Sequence, residues 1–397
     1  MRIAKWTSII VGSLLLLLAL ATFVMTSLID PNRYRGKVEA IVGNLAGRPL
    51  VIEGNLRLTW YPWLGIQTGY AHLDNPPGVL GPPIAEWRSV TVAAKLVPLL
   101  KGQVVVGRIR LQSPHIHLHR DAQGHTNWEH LGPPPTTPAS PEAKRPPPQI
   151  AGLEVTDGML EYVDEMSNLR INLSNLDLDI GEWQLGRPLP VHTRFLVHTD
   201  SLPPSGVWAQ ADAPELTVRF DPLNIEIPKL SIRVADAQIN GAVVAETLPE
   251  NGVVTHGAIT LQVPSVRKFA HDLALDQTLP HDPTTLGPLE LTSDWSYASE
   301  RLTAKPLKLK LDGVTFDGWV EHSARPQSAW RFELHGDHID LGRYVKVDST
   351  HKKPFELPVE ALRALNANGS LLFDRAEIAD SHLTDVRLKL QTPETKQ

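Results

Sequence analysis

The chain has 397 residues, 42% of them hydrophobic and 21% charged, which is the profile of a folded protein with a sizeable core and not of a disordered one. A net charge of −6 argues against a nucleic-acid partner, which would require a basic face. With no cysteine, thiol catalysis, disulfides and thiolate metal sites are excluded together.

The chain opens with Arg2 and Lys5, and residues Trp6 to Ile29 then carry no charge. Ile9 to Ile29 would span roughly 31 Å as a helix, the thickness of a bilayer core. Ala19-Leu20-Ala21 offers the rival reading of a signal-peptide cleavage site. The apolar run continues past it through Phe23, Val24, Met25 and Leu28, so an uncleaved transmembrane anchor over residues 1–29 is expected. Basic residues flank both sides (Arg33, Arg35 and Lys37 follow), so charge does not fix its orientation.

Asp30-Pro31 is a helix start, because Asp caps and Pro is preorganised for the first turn. Tyr34, Val38, Ile41, Val42 and Leu45 recur at helical spacing, and Gly47 can stop the helix. One amphipathic helix over 31–46 follows. Beyond Gly47 the period becomes two. Leu56 and Leu58, Val90 and Val92, Ile109 and Leu111, and Ile116 and Leu118 each alternate with polar neighbours, which predicts strands with one apolar face.

Residues 132–149 hold eight prolines, which predicts an extended linker dividing the chain. Strand patterning then resumes. Leu153 and Val155 are separated from Leu160 and Tyr162 by Asp157-Gly158, a hairpin-turn signal. Leu169 to Leu173 is likewise split from Leu176 to Ile180 by Ser174-Asn175. Short helices are expected only near 266–275 and 359–365. A weak repeat aligns Leu230–Gly241 with Leu307–Gly318 at an offset of 77, and each copy leads through a further strand to an aromatic, Phe269 or Tyr344.

Phosphate-binding glycine loops, the nucleophile elbow and the paired-histidine zinc helix are absent, and neither an enzyme nor a cofactor is expected. The sharpest polar pattern is His115-Ile116-His117-Leu118-His119, three histidines on one strand face and close enough in principle for a metal. With no carboxylate at a matching spacing, a solvent-facing row opposite Ile116 and Leu118 is the expected state, and no metal is expected at His115, His117 or His119.

Several pieces, in order, carry a resemblance. They are Ile29-Asp30-Pro31-Asn32-Arg33-Tyr34 after the anchor, Ala46 to Gly54, Tyr61-Pro62-Trp63-Leu64-Gly65-Ile66, Asp74 to Gly78, Val97 to Gly102, and Asp121 to Trp128. Together they resemble the N-terminal region of the AsmA family, and Leu311 to Gly318 with His338 to Tyr344 are similar to its middle repeats. The resemblance implies an inner-membrane-anchored protein of Gram-negative bacteria, its bulk periplasmic, associated with outer-membrane assembly and phospholipid traffic. It implies a mainly β fold, an elongated, curved antiparallel sheet forming a groove with an apolar inner face. An ordinary sandwich would show the same alternation.

The expected organisation is therefore an anchor (1–29), a helix plus β domain (30–131), the linker (132–149) and a β-groove region (150–397). Expected partners are the inner membrane through residues 9–29, a phospholipid or other acyl lipid, and envelope proteins. The expected lipid-facing residues are Leu56, Leu58, Ile109, Leu111, Leu309 and Leu311. A purely structural envelope protein without lipid transfer is the second reading.

Overall fold

The structure, a computed structural model, describes residues 30–59, 64–79, 81–94, 106–129, 131–132, 150–184, 186–220, 222–248, 252–275, 279–280, 282–324, 329–344, 367–378 and 381–391. The expected anchor over 9–29 and the expected helix at 359–365 lie outside the described residues. Among the described residues no helix is long and apolar enough to cross a membrane. Strands hold 66% of the described residues, so the protein is mainly β as expected. The chain divides into two compact units, Met1–Trp183 and Gln184–Gln397.

In the first unit Asp30 accepts from the Asn32 amide at 3.0 Å and caps a 3₁₀ turn, Pro31–Tyr34, which runs into helix α1, Arg35–Ala46. Gly47 ends α1 in the left-handed conformation, φ 67°, donating its N–H to the Gly43 carbonyl. Val38 packs on the unit's compact core of Leu50, Ile52, Leu56 and Ala71. The rest of the expected apolar face of α1 does not pack: Ile41 and Leu45 stay 61% and 62% exposed. Glu39 instead faces the sheet and accepts from the Ile52 amide at 2.9 Å.

The strands of this unit are β1 (Leu50–Ile52), β2 (Arg57–Thr59), β3 (Leu64–Thr68), β4 (Ala71–Leu73), β5 (Ala85–Ala94), β6 (Val106–Arg120), β7 (Ile150–Asp164) and β8 (Leu169–Ile180). On one side β5 pairs with both β3 and β4, which carry β2 and β1; on the other it leads through β6 and β7 to β8. The expected Pro-rich linker lies, from residue 133 to residue 149, outside the described residues. The strands on either side of it, β6 and β7, pair in parallel along most of their length, a geometry that needs a long crossover.

Two expected turns are absent. Asp157-Gly158 and Ser174-Asn175 lie inside the continuous strands β7 and β8. Asp157 and Asn175 adopt left-handed φ values of 55° and 50°, and Ser113 in β6 does the same at 46°. Each shifts the alternation within its own strand by one residue, and β6 keeps its register with β5 and β7 through the change. Ile109 and Leu111 therefore share a face with Ile116 and Leu118 despite the odd spacing, and Leu153 and Val155 with Leu160 and Tyr162. Asp and Asn tolerate this backbone because their side chains bond locally, which is also why the same residues read as turns.

The second unit is a meander of β9 (Leu189–Thr199), β10 (Val207–Phe220), β11 (Leu223–Val234), β12 (Ala237–Leu248), β13 (Gly252–Val263), β14 (Leu289–Ala298), β15 (Arg301–Leu311), β16 (Val314–Ser323), β17 (Ala329–Asp340), β18 (Ala367–Ile378) and β19 (Ser381–Leu390). Each strand pairs with the next. All pairs are antiparallel except β17–β18, which is parallel, so the expected wholly antiparallel sheet is corrected at two places, β6–β7 and β17–β18. Helix α2, Val266–Asp272, is capped by Ser265, which accepts from the Lys268 amide at 3.2 Å. Pro214, Pro228 and Pro306 fall at register shifts of β10, β11 and β15, where no ladder N–H is required of them.

The 77-residue repeat is structural. Strand β13 runs from 252 to 263 and β17 from 329 to 340, and each is followed by a helical turn, α2 or the 3₁₀ turn Leu341–Arg343. Gly241 and Gly318 are equivalent, and for the same reason: a Cβ would sit 2.2 Å from the Ala258 carbonyl oxygen or 2.0 Å from that of Glu333. Asp312, in the turn between β15 and β16, ties the module end together. It accepts from the Leu286 and Gly287 amides, each at 2.8 Å, and from the Tyr344 hydroxyl at 2.6 Å. Burial opposes the Asp312 carboxylate, but these hydrogen bonds outweigh it and hold its pKa below the ordinary range. Burial, then the bond to Asp312, pushes the Tyr344 hydroxyl up.

Gly318→Ala is expected to destabilise the protein by about 1–3 kcal/mol through this clash. Gly36→Ala, in a helix with open space around it, is expected to be neutral or stabilising. Equal unfolding temperatures for Gly318→Ala and wild type would refute the close-approach argument. Asp312, with its lowered folded pKa, stabilises the fold above the ordinary carboxylate pKa of about 4 and stops doing so as pH falls through the folded value. Asp312→Asn should therefore melt below wild type at pH 7, with the gap closing in acid; a gap independent of pH would contradict this.

Candidate functional site

Directly opposed residues in a sheet share a face, so the pairing register shows what each face carries. In the first unit one line of opposed partners reads Leu58, Ile66, Val92, Ile109, Leu153, Ile180 across β2, β3, β5, β6, β7 and β8. A parallel line reads Val90, Leu111, Val155, Leu178. In the second unit Ala211, Ile232, Ile239, Leu261, Leu291, Leu309, Phe316, Gly336, Phe373 and Val386 are opposed in turn from β10 to β19. The next line contains Val263, Leu289, Leu311 and Val314. Gly336 leaves room in its line for Phe316 and Phe373, whose rings meet edge to face with centroids 5.9 Å apart.

The opposite face of the second unit is polar along the same strands: Asn240, Thr260, Thr292, Lys308, Asp317 and His335 are opposed in turn. In the first unit the polar face is laced by ion pairs, with Arg108 Nη1 2.6 Å from Asp179 and Arg110 Nε 3.0 Å from Glu154.

The apolar lines are not sealed by a second layer. Ile66 and Val92, inside the line of the first unit, are 38% and 40% exposed. Leu302 and Trp330, on the apolar face of the second unit, are 38% and 40% exposed. Most other members are half-buried, as a face covered only by its own neighbours must be. Val263 and Val314, beside the helical turns, are buried. The second unit's apolar face is therefore closed at its helical end and accessible at the other.

Of the expected lipid-facing residues, Leu58, Ile109, Leu111, Leu309 and Leu311 lie on these faces. Leu56 does not. It precedes β2 and is 3% exposed in the closed core with Leu50, Ile52 and Ala71, where its amide donates to Asn32 at 2.9 Å.

The histidines of β6 meet carboxylates that the sequence spacing does not reveal. Glu86 on β5 is the register partner of His115, and Glu161 on β7 that of His117. The His115 Nδ1 lies 3.6 Å from Glu86 Oε1, and His117 Nδ1 lies 3.2 Å from Glu161 Oε2. The rings of His115 and His117 lie 3.8 Å apart between centroids, tilted by 41°. Burial, then the adjacent His117, lowers the His115 pKa. The Tyr70 hydroxyl donates to Glu86 Oε2 at 2.5 Å, a bond that with burial pushes its pKa up to about 12. His119 stands apart from this group, with its Nε2 3.0 Å from Glu165, which also accepts from the Ala122 amide. No signal short of strand register pairs Glu86 with His115.

No curated protein sequence and no solved structure gives a significant match to the chain. The AsmA family model matches residues 1–317. That match takes in α1, the apolar lines of the first unit and most of those of the second, and on it the chain belongs to the AsmA family.

Proposed function

We propose that the protein is a non-enzymatic carrier or binder of acyl lipid in the bacterial envelope, held in the inner membrane by residues 9–29 with its β units in the periplasm. Phospholipid is the proposed ligand, and outer-membrane assembly or phospholipid traffic the proposed setting. Membership of the AsmA family supports the envelope role. The observation that carries the lipid reading is the exposure of Ile66 and Val92 inside an otherwise apolar line. A soluble sheet would bury such residues under a second layer, whereas a lipid-binding face must keep them reachable. Each methylene moved from water onto such a face contributes about 0.8 kcal/mol. An acyl chain crossing several strands thus binds without any charged contact.

Photo-crosslinking tests this without disturbing the fold. A photoreactive residue at Leu309 or Leu311 in full-length protein in cells is expected to capture phospholipid, and one at Lys308 or Lys310 is not. The same alternation is expected between Ile109 and Arg110. Equal labelling at odd and even positions, or capture of protein alone at Leu309, would remove the lipid reading and favour the purely structural one.

A further inference from the structure

We propose that Glu86, His115 and His117 form a binding site for a divalent transition-metal ion, zinc foremost. The site is on the polar face of the first unit and does not depend on the lipid reading.

One ring nitrogen of each histidine and a Glu86 carboxylate oxygen lie within 4.8 Å of one another. Four ligands about 2.1 Å from a tetrahedral ion stand about 3.4 Å apart. The 3.6 Å between His115 Nδ1 and Glu86 Oε1 is too long for a hydrogen bond and close to that spacing. The donor set has a second tier. Tyr70 binds the other carboxylate oxygen of Glu86, which leaves Oε1 directed at His115. Glu161 lies 3.2 Å from Nδ1 of His117 and fixes the orientation of that ring. The imidazole of His115 is not satisfied within the protein: its Nε2 is buried with no hydrogen-bond partner, and the His117 ring lies beside it at 3.8 Å between centroids, tilted by 41°.

Two nitrogens and one oxygen suit zinc, with copper and nickel as competitors, and disfavour calcium and magnesium. Three protein ligands leave a fourth position free. A cavity of about 420 Å³, lined in part by Ser113, Asp157 and Asn175, adjoins Glu86 and His115 and would admit water or an anionic ligand there. The left-handed residues that keep the apolar face continuous thus also shape this cavity on the polar side.

The test uses full-length protein stripped with chelator, loaded with zinc sulfate, dialysed and measured for metal content and affinity. One zinc per chain is expected. Glu86→Gln, His115→Ala and His117→Ala are each expected to abolish stoichiometric retention, and Glu161→Gln to weaken affinity about ten- to a hundredfold. His119→Ala is expected to bind as wild type, which separates a built site from adsorption to a histidine row. Cobalt loading gives a second readout, since ligand-field bands present in wild type should vanish in His117→Ala. Circular dichroism confirms that each variant is folded. Absence of stoichiometric zinc in wild type overturns the proposal. So does retention in both His115→Ala and His117→Ala, or equal loss in His119→Ala.

Discussion

The rest of the structure depends on cross-strand register. A strand turns alternate residues to opposite sides, so a slip of one position would carry every apolar side chain to the wet face. Here the register is held across long strands by direct opposition of like residues: Ile239 faces Leu261, Leu261 faces Leu291, and Leu291 faces Leu309. Where the apolar spacing in a strand becomes odd, a left-handed residue takes up the difference. Ser113, Asp157 and Asn175 do this on three neighbouring strands, so all three change phase together and the face is unbroken.

That constraint explains what was legible in the sequence and what was not. Alternation of Ile109 with Arg110 and of Leu309 with Lys308 shows strands directly, because periodicity is local. Asp30-Pro31 and Gly47 bound α1 because capping is local too. Asp157-Gly158 misleads for a physical reason: the left-handed backbone that closes a hairpin is the same one that shifts the alternation within a strand, and only the partner strand decides between them. Leu56 misleads because its apolar character says nothing of which apolar environment it enters, and a closed core took it. The spacing of Tyr34, Val38, Ile41, Val42 and Leu45 is helical as read, yet of that face only Val38 packs on the core, beside Glu39, while Ile41 and Leu45 stay exposed.

The candidate metal ligands show the same limit more sharply. His115 and His117 are visible as a pair in one strand, but Glu86 is distant in sequence and comes opposite His115 only through the β5–β6 pairing. Sequence spacing judged the histidines incomplete because it counted donors along one strand. Counted across β5, β6 and β7 and the bend before β4, the two histidines gain a carboxylate beside them and two supporting groups, Tyr70 and Glu161. The two faces of the first unit thus follow from one arrangement: apolar residues of β5, β6 and β7 line one side while their polar neighbours gather on the other.

The equivalence of Gly241 and Gly318 has a consequence for growth. One period of 77 residues advances the sheet by four strands, from β11 to β15, or about 19 Å at the usual strand separation. Since each strand bonds only to its neighbours, duplicating or deleting one period changes the width of the sheet by a fixed increment and leaves the chemistry of the remaining strands untouched. Evolution can then tune span as a quantised quantity.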